Sequence, residues 1–483
     1  MVKTASPGEE TTWFTPPRLL VLLCVVNLLN YVDRGVIASN GVNGTPREST
    51  CKPLETCQGG SGIQGEFDLS NFQDGILSSV FLVGLLIASP IFAYMSKTHN
   101  SFKLMGIGLS VWTFATAICG FSLDFWSITA ARMLVGVGEA SFISLASPFI
   151  RESAPHDKRS SWLAYFYMCI PAGMALGYVY GGVVGSTLTW RVAFWGESVL
   201  MLPCALIGFA VGYAQQIANK MDKDITNANE KEERTDIGDG KPVIHKSLSI
   251  SMHVKAFCGD VKMLFQSNIY TVSVAGSVAF NAVLGAYSYW GPRAGYAIFN
   301  LTDADLVFGC MTVVCAIIGT PAGGNFFDSI GATSSNGFKL LTIATSVGGI
   351  ACFLSFLSKS LVSFIPLFAI GELFLFATQS PVNDLILGSA SEELQPLATA
   401  VSTICIHVFG DVPSAPLVGA MQDYLKDWQT TTLLLTTGFF LAAFIWALGI
   451  LLPPANWAES CEYVDLEGSQ EKVPLLEKSC EKS

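Results

Sequence analysis

Charge is scarce in this chain. Asp, Glu, Lys and Arg make up 13% of its 483 residues, about half the ~25% of a soluble domain, and that shortage excludes a soluble globular protein. Metal-binding patterns are missing too. The 13 cysteines and 5 histidines contain no CxxC pair and no Cys/His cluster at ligand spacing, so neither a metal site nor a cofactor is expected. There is no basic surplus to attract nucleic acid, since the formal net charge is -11 and much of the acidity sits in a middle linker and the tail from Glu459 onward. A cleavable signal peptide is also absent from the reading: Arg18 to Ser39 is too long for an h-region and contains Asp33 and Arg34.

Apolar sequence takes the place of charge, with 51% hydrophobic residues and a mean hydropathy of +0.48. Runs long enough for the ~20 residues that cross a bilayer fall at 18–39, 78–95, 103–121, 126–150, 161–185 and 191–214. After a polar interval they resume at 269–290, 306–327, 338–357, 361–387, 397–422 and 429–452. The expected fold is an all-α polytopic membrane protein with twelve transmembrane helices in two six-helix bundles, 18–214 and 269–452. The tail 1–17, the linker 215–268 and the tail 453–483 are expected on the cytoplasmic side.

Lys and Arg support that orientation. Nineteen lie on the side of the termini, six on the other, and two, Arg34 and Arg132, within spans. The sequons at Asn43 and Asn300 both fall in loops assigned to the outside, where glycosylation is expected. Cys51 and Cys57 share the first outer loop, in an oxidising compartment, and are read as a disulfide. The other cysteines are read mostly as small apolar packing residues.

The halves look duplicated. Gly138-Glu139 precedes Ser147-Pro148 as Gly371-Glu372 precedes Ser380-Pro381, at an offset of 233 residues. Ser89-Pro90 and Phe102-Lys103-Leu104 have counterparts in Thr320-Pro321 and Phe338-Lys339-Leu340 at offsets within three residues of that value. An even number of spans per half makes these parallel repeats, an architecture of transporters. Gly173, Gly177 and Gly181 form a stripe at spacing four in the fifth span, a face for close helix packing.

Ionisable groups at membrane depth are costly and mark functional sites. Asp33 and Arg34 adjoin each other in the first span, ~100° apart on a helix, so both cannot face the same neighbour well. Depth arithmetic at a 1.5 Å rise places Asp33 and Arg132 within a few ångströms of one level, permitting an ion pair, with Glu139 about two turns deeper on the face of Arg132. Asp33, Arg132 and Glu139 are the expected proton-coupling and cavity residues. Arg34, Glu372, Asp384, His407 and Asp411 are further cavity candidates. Gly410-Asp411 could suggest an intramembrane aspartyl protease, but position 408 is Val where that motif needs Gly, so no enzyme is expected.

NYVDR in the first span, RMLVGVGEAS in the fourth, IPAGMALGY in the fifth, TWR at 189–191 and HVFGDVPSAPLVG at 407–419 together resemble the spinster branch of the major facilitator superfamily, its plant members above all. The resemblance spans all twelve segments. It implies a sphingolipid or lysophospholipid substrate moved by rocking of the two bundles, roles for Asp33, Arg132 and Glu139 in the cavity and in proton coupling, and a late endosomal, lysosomal or vacuolar membrane. The lipid headgroup is expected near Arg132. A small organic anion or sugar is the alternative cargo, and a non-transporting lipid sensor the alternative role.

One departure concerns the loop after the second span, AYMSKTHNSFKL, where Lys97 and Thr98 replace the Asp-Arg of the superfamily pattern. The second-half counterpart keeps Gly324 and Asp328, so Asp328 is the candidate gating residue. In the tail, Glu471 followed by Leu475-Leu476 fits an acidic dileucine signal for a sorting adaptor.

Overall fold

The computed structural model describes residues 15–46, 60–96, 98–155, 159–233, 259–301, 304–358, 360–391 and 394–453. Twelve helices are long and apolar enough to cross a membrane: α1 Pro16–Ala38, α2 Asn71–Met95, α3 Ser101–Phe121, α4 Phe125–Arg151, α5 Trp162–Thr187, α6 Trp190–Ala214, α7 Asn268–Phe299, α8 Ala304–Ser329, α9 Ser334–Leu357, α10 Leu361–Gly388, α11 Leu397–Leu425 and α12 Trp428–Ile450. Every expected span is present. The largest boundary errors are at α2, which starts seven residues early, and α7, which runs nine residues on. The α2 extension has a local cause. Ser70 accepts from the Gln73 backbone N–H at 3.2 Å while the Gln73 side chain accepts from the Ser70 N–H at 3.1 Å, a capping box that starts the helix in polar sequence.

Helix pairing repeats with an offset of six. In the first half α1 packs on α5, α2 on α4, and α3 on α4 and α6; in the second α7 packs on α11, α8 on α10, and α9 on α10 and α12. The main contacts between halves, α2 with α11 and α5 with α8, are exchanged by the same offset. This is the arrangement a parallel duplication predicts. The glycine stripe does what its spacing requires. A Cβ on Gly177 would run into the Val32 carbonyl and stand 2.8 Å from the Gly35 Cα, so α1 and α5 meet backbone to backbone.

The matched Ser-Pro elements behave differently. Pro381 lacks the N–H that would bond the carbonyl of residue 377, and α10 breaks there into Leu361–Phe376 and Gln379–Gly388. Pro148 leaves the helix of Phe125–Ser153 continuous.

Among the described residues, the hydrogen bonds between halves lie toward the end carrying the loops that follow odd-numbered helices. Asp423, near the end of α11, accepts from the backbone N–H groups of Asn71 at 3.0 Å and Phe72 at 2.9 Å and from the Asn71 amide at 2.7 Å. Asp305, at the start of α8, accepts from the Asn40 N–H at 3.0 and 3.1 Å, and Asn40 donates to the Pro292 carbonyl at 3.0 Å. Tyr289 of α7 donates to Asp74 of α2 at 2.9 Å. Two carboxylates of one half therefore cap helix N-termini of the other, at Asn71 and at the short helix Asn40–Asn43, where the helix dipole favours negative charge. Replacing Asp423 by Ala removes about 1–2 kcal/mol of capping energy, equivalent to about a tenfold shift toward separation at this end. A spin-label or fluorescence distance across α2 and α11 should register the longer population.

The same end explains TWR. Glu66, in the short helix Gly62–Glu66, accepts from the Trp190 indole at 2.7 Å and from Arg191 at 2.6 Å, while Arg191 also reaches the Ser122 carbonyl at 2.8 Å. Partial burial pushes the Glu66 carboxyl up, but the Arg191 and Trp190 hydrogen bonds outweigh it and hold it below its ordinary value. A depressed carboxyl adds stability above its unfolded value and loses it as pH falls through the folded one. Thermal stabilities of the natural chain and Glu66→Gln should therefore differ at neutral pH and converge below about pH 4. The gap stays under about 1 kcal/mol because the pair is half exposed.

One expectation meets an obstacle in the packing, and several fall outside the described residues. Asn43 is 2% exposed and its side chain lies against Asp74, so it offers no room for a glycan; a sequon records local pattern, not packing. Asn300, by contrast, is exposed at the end of α7. Cys51, Cys57, Lys97, Thr302, Glu471, Leu475 and Leu476 lie outside the described residues.

Candidate functional site

Asp33, Arg132 and Glu139 do come together, with Arg34, in two ion pairs stacked along α1 and α4. Arg132 Nη1 donates to both oxygens of Asp33, at 2.7 and 2.9 Å. Arg34 Nη2 donates to Glu139 Oε1 at 2.8 Å. The first pair was expected from depth. The second was not, because the ~100° between positions 33 and 34 argued against one shared neighbour. That argument fails because Arg132 and Glu139 are seven residues apart on α4. The long Arg34 side chain reaches the deeper acid while short Asp33 meets the shallower cation.

Exposure distinguishes the pairs. The Asp33 and Arg132 side chains are 0% and 1% exposed, whereas Arg34 keeps 19% of its surface open and Glu139 keeps none. Arg34 also stacks on the rings of Tyr31 at 4.5 Å and Phe81 at 4.6 Å. Arg132 is thus enclosed, whereas the Arg34 side chain keeps part of its surface open.

On the facing half, His407 Nδ1 lies 2.6 Å from Asp411 Oδ2, the side chains being 27% and 18% exposed. Both sit in a π-helical turn, His407–Asp411, that interrupts α11. It precedes Pro413, whose missing N–H favours such a defect, and π-turns of this kind recur at functional sites. Asp411 is an electrostatic neighbour of Tyr31, so this pair and Arg34 border one region between the halves.

The other candidates stand apart from it. Glu372 is 7% exposed and accepts from Thr312 at 3.0 Å; it lines a small pocket with Phe280, Leu284, Tyr287 and Phe376. No ion pair forms there among the described residues. Asp384 neighbours Asp328 across α10 and α8, acid facing acid, and both are exposed. Among the described residues Asp328 forms no ion pair.

Sequence reasoning missed Glu197. It lies in α6, 1% exposed, with Asp33 and Arg132 as its charged neighbours. The signal was available: Gly196-Glu197 is a third Gly-Glu pair inside an apolar span, without the Ser-Pro that drew attention to the other two. Among the described residues no group of His, Cys, Asp and Glu could hold a metal ion.

The Major Facilitator Superfamily model matches residues 59–412. A protein of Arabidopsis thaliana described as "Probable sphingolipid transporter spinster homolog 2" is 51% identical over 480 residues, covering 98% of this chain and 95% of that one. This chain belongs to the spinster family of the Major Facilitator Superfamily. A third Arabidopsis spinster homolog is 50% identical over 455 residues, 93% of this chain and 87% of the relative. "Protein spinster" of Drosophila melanogaster is 27% identical over 429 residues, 86% of this chain and 62% of that protein. A bacterial homolog of the human lysosomal transporter Spinster, solved inward-facing and unoccupied, shares the fold with a TM-score of 0.70 at 14% identity, covering 91% of this chain and 98% of that one. As a spinster-family protein the chain is a multi-pass membrane transporter and not an enzyme.

Proposed function

We propose that this spinster-family chain moves a sphingolipid or lysophospholipid by alternating access, coupled to protons, across an endosomal, lysosomal or vacuolar membrane, with both termini cytoplasmic. The observation that carries the reading is Arg34, a partly open guanidinium held by Glu139 between two aromatic rings. A guanidinium binds phosphate through planar, paired donors, and the rings beside it suit an acyl or sphingoid chain. Names of the Arabidopsis relatives point to the same substrate class.

The seal at the odd-loop end supports a state that faces the cytoplasm. Opening this end while the other closes would exchange access around Arg34. Asp33 and Glu139, each paired with a guanidinium, are the acids proposed to take up and release protons. The dileucine sequence in the tail is proposed to recruit the sorting adaptor, and His407, Asp411 and Glu372 to border the substrate path.

Counterflow into sealed proteoliposomes tests the cargo. Labelled lysophospholipid or phosphorylated sphingoid base should exchange, and unlabelled lipid should compete, while sugars and small organic anions should not. Exchange of the soluble solutes alone would overturn the lipid reading; saturable lipid binding without exchange would make the protein a sensor.

A further inference from the structure

Glu197 lies ~10 Å along α6 from Trp190, and Arg132 the same distance along α4 from Phe125; Asp33 is ~8 Å from the end of α1 at Ala38. All three helix ends are at the odd-loop end, so the groups share one level. The titratable neighbours come from every side: Asp33 on α1, Arg132 on α4, Cys119 on α3 and Tyr180 on α5. The Tyr180 hydroxyl donates to the Ala193 carbonyl at 3.1 Å, one turn before Glu197. Arg132 gives its Nη1 hydrogen bonds to Asp33, and its Nε has no partner.

Glu197 is buried with Asp33 and Arg132 as its charged neighbours, and neither of its oxygens receives a hydrogen from any described donor. Two carboxyl groups therefore face each other around a single guanidinium. With both ionised the buried cluster would carry a net negative charge and a naked carboxylate, an arrangement costing several kcal/mol that such groups avoid by neutralising. One proton placed between them turns repulsion into a hydrogen bond.

We propose that Glu197 is a proton-binding site of the N-terminal half, which holds a proton against Asp33 and hands it over during transport. The step is balanced. The O–H bond at Glu197 breaks, an O–H bond forms at Asp33, and Arg132 transfers its hydrogen bonds from the neutralised Asp33 to the new carboxylate on Glu197. The guanidinium keeps one anionic partner throughout, but that partner changes from α1 to α6. Helix α1, which carries Arg34, is then released from α4 at this level. Proton and cargo are linked through the choice Arg132 makes between two acids. This deepens the proton-coupled reading above and rests on it.

Two measurements separate the inference from that reading. Infrared difference spectra of purified protein in lipid at neutral pH, natural chain minus Glu197→Gln, should contain a protonated-carboxyl band that shifts in heavy water. Its absence overturns the site. In proteoliposomes, the ratio of lipid uptake with a pH gradient to uptake without one should fall to unity in Glu197→Gln, whatever the basal rate; an unchanged ratio overturns the hand-over. A natural chain that shows the band but no gradient stimulation keeps the proton site and refutes coupling. Should Glu197→Gln fail to fold, Glu197→Asp keeps a carboxyl at a different reach, and a displaced band is the expected result; a band that does not move assigns the proton elsewhere and overturns the proposal.

Discussion

Replacing Arg132 by Met should cost about 3–5 kcal/mol of stability, the penalty for leaving a buried charge without its partner. Asp33 is fully enclosed and takes its hydrogen bonds from Arg132, with Glu197, another acid, beside it. Water cannot enter readily to solvate the orphan. Removing the acid as well, in Asp33→Asn/Arg132→Met, should recover most of the loss, because replacing both members of a buried pair is often close to neutral. A fluorescence-monitored melt in detergent, with the two single variants completing the cycle, measures the coupling. Additive losses in the double variant would mean that the pair contributes no interaction energy. Arg34→Met should also destabilise the fold, because it leaves Glu139, itself fully enclosed, without its guanidinium.

The second large effect is expected at the α1–α5 crossing. Gly177→Leu places a whole side chain where even a Cβ meets the Val32 carbonyl and the Gly35 Cα. Overpacking typically costs about 1–3 kcal/mol, occasionally more, and here the obstacle is backbone on both sides, which rotamer changes cannot relieve. The helices must separate, losing the close contact on which association in lipid depends. Folded yield after extraction should collapse for Gly177→Leu. It should fall only modestly for a Leu at Val183, which is exposed on the same helix.

These two sites also show what the sequence made legible. Depth along a helix follows from residue count alone, so the level of Asp33 and Arg132 could be worked out without coordinates. The glycine stripe was readable for the same reason: its meaning lies within one helix. The Arg34–Glu139 pair was not, because a long side chain samples a wide arc and the angle between adjacent positions does not limit its reach. Glu197 needed knowledge of which helix α6 approaches, and a lone acid in an apolar span carries no such information. The early start of α2 was written in Ser70 and Gln73, but hydropathy passes over polar helix turns. Asn43 misled because its triplet says nothing of the Asp74 packed against it.

The seal at the odd-loop end is built from unlike parts. One half supplies carboxylates, Asp305 and Asp423, and the other supplies chiefly backbone N–H groups at Asn40, Asn71 and Phe72. A backbone donor survives any replacement of its side chain except by proline. Family members can therefore change the receiving side chains and keep the backbone part of the lock, losing only the Asn40 and Asn71 amide contacts, and a pairwise search for residues that change together will under-read it. Its imprint in relatives should be one-sided: acids retained at two places, partners that look arbitrary, and proline excluded from all three.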